Sequence, residues 1–210
     1  METFLLILEL VGCVSFAVSG AMTGMRKGMD VFGVCIMGVT VACGGGVIRD
    51  LLLGSVPPTM FRDPTYALTA VVTALILFLP AVHKRLALVE NVYRLVMLVA
   101  DAIGLGVFTA VGVDAAMDSG HGDNLFFAVF LGVITGVGGG ILRDLLAGET
   151  PYVFTKHIYA CASLLGALLC ATLRSVTGEG WALTVCTVTV IAVRLLAAHF
   201  RWSLPRAKIE

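Results

Sequence analysis

One fourteen-residue signature occurs twice, each time inside a long apolar stretch. Residues 44–57 read GGGVIRDLLLGSVP and residues 138–151 read GGGILRDLLAGETP. Eleven of the fourteen positions are identical or exchange Val, Ile and Leu. The likeness extends outward. Glu9-Leu-Val-Gly12 matches Asp101-Ala-Ile-Gly104, Phe16 matches Phe108, Gly20 matches Gly112, and Tyr66-Ala67 matches Tyr159-Ala160. Two copies of one unit constrain the fold before anything else does.

The setting of the signature is apolar. The 210 residues are 59% apolar and 13% charged, against about 45–50% and about 25% in average soluble domains. Mean hydropathy is +0.99. A disordered chain needs the opposite composition. Lys and Arg equal Asp and Glu at fourteen each, so no basic excess exists to neutralise nucleic-acid phosphates. A soluble globule this apolar at zero net charge would aggregate. A polytopic membrane protein remains.

Seven apolar segments are long enough to read as spanning helices. They cover about Phe4–Met22, Val31–Leu53, Tyr66–Val82, Val92–Val113, Leu125–Ala147, Ile158–Leu173 and Trp181–Phe200. None alternates as a barrel strand would. The opening METFLLILELVG lacks a positive n-region and carries Glu2 and Glu9, so it is expected to be a first span and not a cleaved signal peptide. The fold expected is all-α, a single transmembrane domain over 1–210. Repeat one covers about 4–82, repeat two about 92–173, and a seventh helix about 181–200. A unit of three spans is odd, so the second copy enters the membrane from the opposite side. That is an inverted repeat, as in many transporters.

Basic residues set the orientation. One face collects Arg26, Lys27, Lys84, Arg85, Arg94, Arg143, Lys156, Arg201, Arg206 and Lys208; the other holds Arg49, Arg62 and Arg174. Arg194, inside span 7, is left out of that division. The C-terminus is expected in the cytoplasm and the N-terminus outside. Trp181 and Trp202 flank span 7 as interface anchors.

The triplets Gly44, Gly45, Gly46 and Gly138, Gly139, Gly140 fall inside spans 2 and 5. Three consecutive glycines weaken a helix by about 1 kcal/mol each against Ala. Paired glycine-interrupted spans are the best sequence pointer to a transport pathway, so spans 2 and 5 are expected to be broken there. Close helix packing is the other use of glycine, and it suits Gly12, Gly20, Gly104 and Gly112. Behind each triplet comes a charged pair, Arg49-Asp50 and Arg143-Asp144. Adjacent helical residues do not face each other, so each member is expected to reach a different partner. Two placements are open: the arginines line or gate a pathway while the aspartates brace neighbouring helices, or all four anchor span ends. Glu9 and Asp101 are the other duplicated ionisable pair. They are candidates for attracting cations or carrying protons; pairing with Arg49 or Arg143 is the alternative.

Neither metal nor cofactor chemistry is expected. Cys13, Cys35, Cys43, Cys161, Cys170 and Cys186 all lie in apolar runs without CxxC spacing, as small packing residues do. His83, His121, His157 and His199 have no partner at ligand spacing. No Ser/His/Asp or Cys/His constellation supports an enzyme.

The duplicated GGGxxRDLL…P unit, the six-plus-one arrangement and the ending RLLAAHFRWSLPR resemble the bacterial branch of the trimeric intracellular cation channel family. That group is also described as a glycine transporter family. The resemblance implies a seven-helix homotrimer in the bacterial inner membrane, surrounded by membrane lipids. Each protomer would hold one pore, kinked at the glycine triplets, passing potassium and other monovalent cations. It places the basic pore residues near Arg49 and Arg143. Animal members carry a lipid-binding Lys before their glycines; this chain departs from them, with Cys43 and Val137 there. The second function open to the residues is carriage of a small zwitterion such as glycine. An arginine would hold its carboxylate, and Glu9 or Asp101 its amine.

Overall fold

The structure, a computed structural model, describes residues 2–87, 89–121, 123–155 and 158–202. Among the described residues it is all-helical. Lys156, Arg206, Lys208 and His157, and the side chains of Lys84, Arg85 and His121, lie outside the description, so the orientation reading is only partly represented. The helices are α1 (Glu2–Arg26), α2 (Val31–Leu52), α3 (Thr59–Arg62), α4 (Thr65–Phe78), α5 (Pro80–Ala87), α6 (Glu90–Ala116), α7 (Leu125–Leu146), α8 (Tyr152–Thr155), α9 (Ala160–Thr177) and α10 (Glu179–His199). A π-helical turn over Met117–His121 follows α6.

Six helices, α1, α2, α6, α7, α9 and α10, are long and apolar enough to cross a membrane. The chain is an all-helical membrane protein. In hydrocarbon the backbone must satisfy its own hydrogen bonds, which a continuous helix does. The span expected over 66–82 is divided. Its α4 is apolar but only 14 residues long. Leu79, ahead of Pro80, takes the extended conformation φ −56°, ψ 131°, because proline sterically disfavours the helical region in the residue before it.

The starts and stops of α2 and α7 are chemically alike. The Asp30 side chain accepts a hydrogen bond from Gly33 N at 2.8 Å, and the Asn124 side chain accepts one from Phe127 N at 3.0 Å. Both are N-caps. At the other ends, Gly54 (φ +70°) and Gly148 (φ +69°) adopt the left-handed conformation that glycine accepts without penalty. Ser55 N then bonds Asp50 O, and Glu149 N bonds Asp144 O, each at 2.8 Å. This is the six-to-one bond of the Schellman stop. The glycine at the end of each RDLLxG motif is therefore the helix terminator.

In the first half α1, α2 and α4 pack on one another, and in the second α6, α7 and α9 do so. The halves meet through α1 against α6 and α2 against α7, and α10 lies along α6 and α9. Phe16 and Phe108 pack with tilted rings at the α1–α6 contact, centroids 5.4 Å apart. Each occupies space left by a glycine of the other helix. A Cβ on Gly104 would collide with the Phe16 ring, and one on Gly12 would come within 3.3 Å of Phe108.

The expectation that spans 2 and 5 are broken at the triplets is corrected. Helix α2 runs unbroken through Gly44, Gly45 and Gly46, and α7 through Gly138, Gly139 and Gly140. The reason lies at the crossing of these two helices. A Cβ on Gly45 would land on the Thr135 carbonyl oxygen, and one on Gly139 on the Val41 carbonyl oxygen. Gly138 and Gly45 are close enough that a Cβ on the first would lie 3.1 Å from the Cα of the second. In lipid no hydrophobic drive holds helices together, so close backbone packing must do so. The triplets are the contact face of that packing.

Within one triplet the glycines therefore differ. Gly45→Ala and Gly139→Ala force two backbones apart, and overpacking of this kind costs about 1–3 kcal/mol. Gly46 has only Arg49 Nη2, at 4.0 Å, near its missing side chain. Thermal melting of the solubilised protein should fall for Gly45→Ala and Gly139→Ala, and stay level or rise for Gly46→Ala.

Candidate functional site

The duplicated charged residues form two clusters. In the second half Arg143 is 1% exposed. Its Nη1 donates to Asp101 Oδ1 of α6 at 2.5 Å and to Ser19 Oγ of α1 at 2.6 Å. Its Nε donates to Asp144 Oδ1 at 2.8 Å. The other Asp144 oxygen accepts Tyr152 N, the first residue of α8, at 2.7 Å. Arg194 of α10 adds a second guanidinium, its Nη2 3.9 Å from Asp101 Oδ2 and its carbon 4.7 Å from the centre of the Tyr159 ring. Tyr159 donates its hydroxyl to Asp101 Oδ1 at 3.4 Å.

The first half repeats the pattern more loosely. Arg49 Nε donates to Asp50 Oδ1 at 2.8 Å, and Asp50 Oδ2 accepts Thr59 N, the start of α3, at 2.7 Å. Arg49 Nη1 stands 3.9 Å from Glu9 Oε1. Tyr66 donates its hydroxyl to Glu9 Oε2 at 2.5 Å.

The adjacent residues of each pair thus bond to each other, and each also reaches a different partner as expected, Glu9 or Asp101 for the arginine and a backbone N–H for the aspartate. The long arginine side chain bends back to the aspartate, whose second oxygen is fixed by the backbone N–H of the next short helix. The aspartates do brace neighbouring elements, α3 and α8. For Glu9 and Asp101 the pairing alternative is what the geometry contains. Each faces the arginine of its own half, so neither is a bare carboxylate awaiting a cation.

The two clusters lie at different depths. Glu9 and Ser19 mark them on α1, ten residues apart, about 15 Å at helical rise. Between them lie the Gly45–Gly139 crossing and the Phe16–Phe108 pair. A recess of about 450 Å³ opens on the Arg143 cluster, with Thr23, Tyr93, Leu98, Asp101, Arg194 and Trp202 in its wall. A recess of only about 40 Å³ opens on the other, lined by Glu9, Cys43, Gly46, Arg49, Asp50 and Tyr66. Lys27 and Glu149 bridge at 2.7 Å beside the larger recess. The Lys27 hydrogen bond holds the Glu149 carboxyl below its ordinary pKa range.

Sequence reasoning passed over Arg194, although a lone arginine in an apolar span is itself a signal. Tyr66 and Tyr159 served only as markers of the repeat; their duplication beside a duplicated carboxylate was the available clue. The Ser19 hydroxyl meets Arg143. The Thr109 hydroxyl bonds Ser163 Oγ at 2.7 Å. Thr135 bonds back to Leu131 O at 2.6 Å, as such residues often do in membrane helices.

Polar recesses entering a helix bundle at two depths, each ending on a buried ion-paired arginine, define a helical membrane protein of the channel and transporter class. A family model described as Glycine transporter matches residues 6–81 and 98–175. The UPF0126 inner membrane protein YadS of Escherichia coli strain K12 is 39% identical over 209 residues, covering 97% of this chain and 96% of that one. A solved TRIC cation channel superposes with TM-score 0.85 at 37% identity, with 97% of each chain covered. A prokaryotic TRIC channel crystallised in 0.5 M KCl gives TM-score 0.88 at 31% identity, covering 97% of this chain and 100% of that one. The chain belongs to the trimeric intracellular cation channel family, in its bacterial UPF0126 branch.

The ion pairs differ sharply in weight. Asp101→Asn removes a counter-ion from a buried guanidinium, a loss of about 3–5 kcal/mol. Glu149→Gln, at an exposed pair, costs under about 1 kcal/mol. Because the Glu149 carboxyl is held low, its small contribution is present above the unfolded carboxylate pKa and fades as pH falls through the folded one. Melting at neutral pH should show a large fall for Asp101→Asn and almost none for Glu149→Gln. Equal effects would refute the ranking.

Proposed function

We propose that the protein is a monovalent cation channel, passing potassium, with a pathway inside each protomer of a homotrimer. On this reading the helices form two inverted three-helix repeats, about 4–82 and 92–173, plus a seventh helix. The α4–α5 segment serves as the third crossing. The protein lies in the inner membrane among its lipids, N-terminus outside and C-terminus in the cytoplasm. The observation that carries the proposal is the pair of recesses reaching into one protomer toward the same helix crossing. Likeness to solved TRIC channels over nearly the whole chain supports it.

The pathway runs from Glu9, Arg49 and Asp50, past the crossing where Gly45 of the first triplet (Gly44, Gly45, Gly46) meets Gly138 and Gly139 of the second (Gly138, Gly139, Gly140), to Arg143, Asp144 and Asp101. On this reading it is closed at the crossing. Opening needs α2 and α7 to part, or the Phe16–Phe108 pair to turn aside. The arginines set barriers within the pathway, as fixed charges do in other pores. Their carboxylate partners offset that charge, so a cation meets a graded field and not a bare guanidinium.

A second reading, a carrier for a small zwitterion such as glycine, is favoured by one observation. The recesses differ about tenfold in size, at about 450 and 40 Å³, as in a carrier open to one side. The family model's description points the same way.

Single-channel recording in planar bilayers under a potassium chloride gradient tests the first reading. The reversal potential should lie at the potassium value; a chloride value would overturn it. Saturable glycine uptake by the same preparation in liposomes, without potassium current, would establish the second.

A further inference from the structure

Behind the smaller recess two thiols meet. Cys13 of α1 and Cys43 of α2 are hydrogen-bonded to each other through their sulfurs. Cys13 Sγ also donates to Tyr66 O of α4 at 3.2 Å, so three helices converge on the pair. Cys43 lies in the recess wall, and Cys13 is buried behind it. Thirty residues separate the two in the chain, so no ligand spacing marks them. A second such pair, Cys170 of α9 and Cys186 of α10, shares a like hydrogen bond. Neither of those thiols lines either recess. The first pair therefore combines paired sulfur with access, and the second has paired sulfur alone.

We propose that Cys13 and Cys43 form a two-coordinate site for a soft monovalent cation of the copper(I) and silver(I) kind, entered through the smaller recess. Sulfur ligands select such ions, whereas hard cations prefer oxygen. Zinc takes four ligands in a structural site and three in a catalytic one, and no group of three or more His, Cys, Asp or Glu is assembled for a metal among the described residues. The recess of about 40 Å³ admits an ion but not a small organic ligand, which needs about 300 Å³ or more. On binding, each thiol releases its proton to water through the recess. Two metal–sulfur bonds replace the hydrogen bond between the thiols, and the metal keeps its oxidation state. The complex carries one negative charge, offset by Arg49 in the same recess, whose Nη1 stands 3.9 Å from Glu9. A bound ion pins α1 to α2 at this mouth, whichever ion the protein conducts.

Silver(I) is the probe, because it resists oxidation in air where copper(I) does not. The full chain, in detergent and nitrate buffer, is equilibrated with silver and a monothiol competitor and then desalted. Silver and protein are quantified together. A single cysteine yields its silver to the competitor. A pair retains it, because the second bond forms within one molecule, an advantage of about 10²–10⁴ in affinity. About one silver per protomer is expected, with retention rising as pH rises, since each ligand gives up a proton. C13S and C43S keep the size and hydrogen-bonding group of the thiol and remove the soft ligand. Each should weaken silver binding at least about a hundredfold. Melting without silver checks that each variant folds, and either one alone decides the matter. C170S/C186S, and C161S at an exposed position, should bind as wild type. No silver retained by the wild type, retention unchanged in C13S or C43S, or retention lost only in C170S/C186S overturns the proposal. No ion flux is measured, so these outcomes are distinct from failure of the channel reading.

Discussion

A guanidinium inside a helix bundle is tolerable only when its charge is met on several sides, and this requirement organises the molecule. Arg143 is met by Asp101 from α6, Asp144 from its own helix and Ser19 from α1. Those contacts tie three helices at one point. Asp144 then reaches onward to the first N–H of α8, so the loop after the helix is fixed by the same carboxylate. The chain Arg49–Asp50–Thr59 does this for α3. Burying charge is expensive, and a structure that keeps it at two equivalent places has a use for it beyond stability. The proposed pathway supplies that use.

The second constraint is distance. The ion pairs can form only if α1, α2, α6 and α7 approach closely, and glycine allows the approach. Phe16 fills the space at Gly104, Phe108 that at Gly12, and the triplets bring α2 and α7 into backbone contact. In the proposed pathway the same contact closes the route between the recesses, so that packing and gating are one feature of that proposal: whatever opens the route must loosen the crossing that holds the halves together.

Much of this was legible in the residues. Long apolar runs gave the helices, while the caps at Asp30, Asn124, Gly54 and Gly148 came from the structure. Duplication singled out Glu9, Asp101 and the Arg–Asp pairs, and they meet in two clusters, one in each half. Four things were not legible. A glycine triplet permits both a break and a crossing, and only the neighbouring carbonyls of Val41 and Thr135 decide between them. Helical spacing places adjacent side chains apart, but it does not account for an arginine long enough to fold back. Pro80 ends α4 within a run that hydropathy alone treats as continuous. Arg194 belongs to no repeat and so escaped a search guided by duplication.

The central claim is that each protomer contains its own route, entered from the Arg49 side and the Arg143 side. The most direct measurement is sided thiol modification during conduction, with native cysteines replaced by alanine. A cysteine at Gly46 and one at Leu98, on the walls of the smaller and larger recesses, are tested separately with a membrane-impermeant reagent. The account predicts block by both, from opposite sides of the membrane. Current unaffected by modification at either position would contradict a route through the protomer.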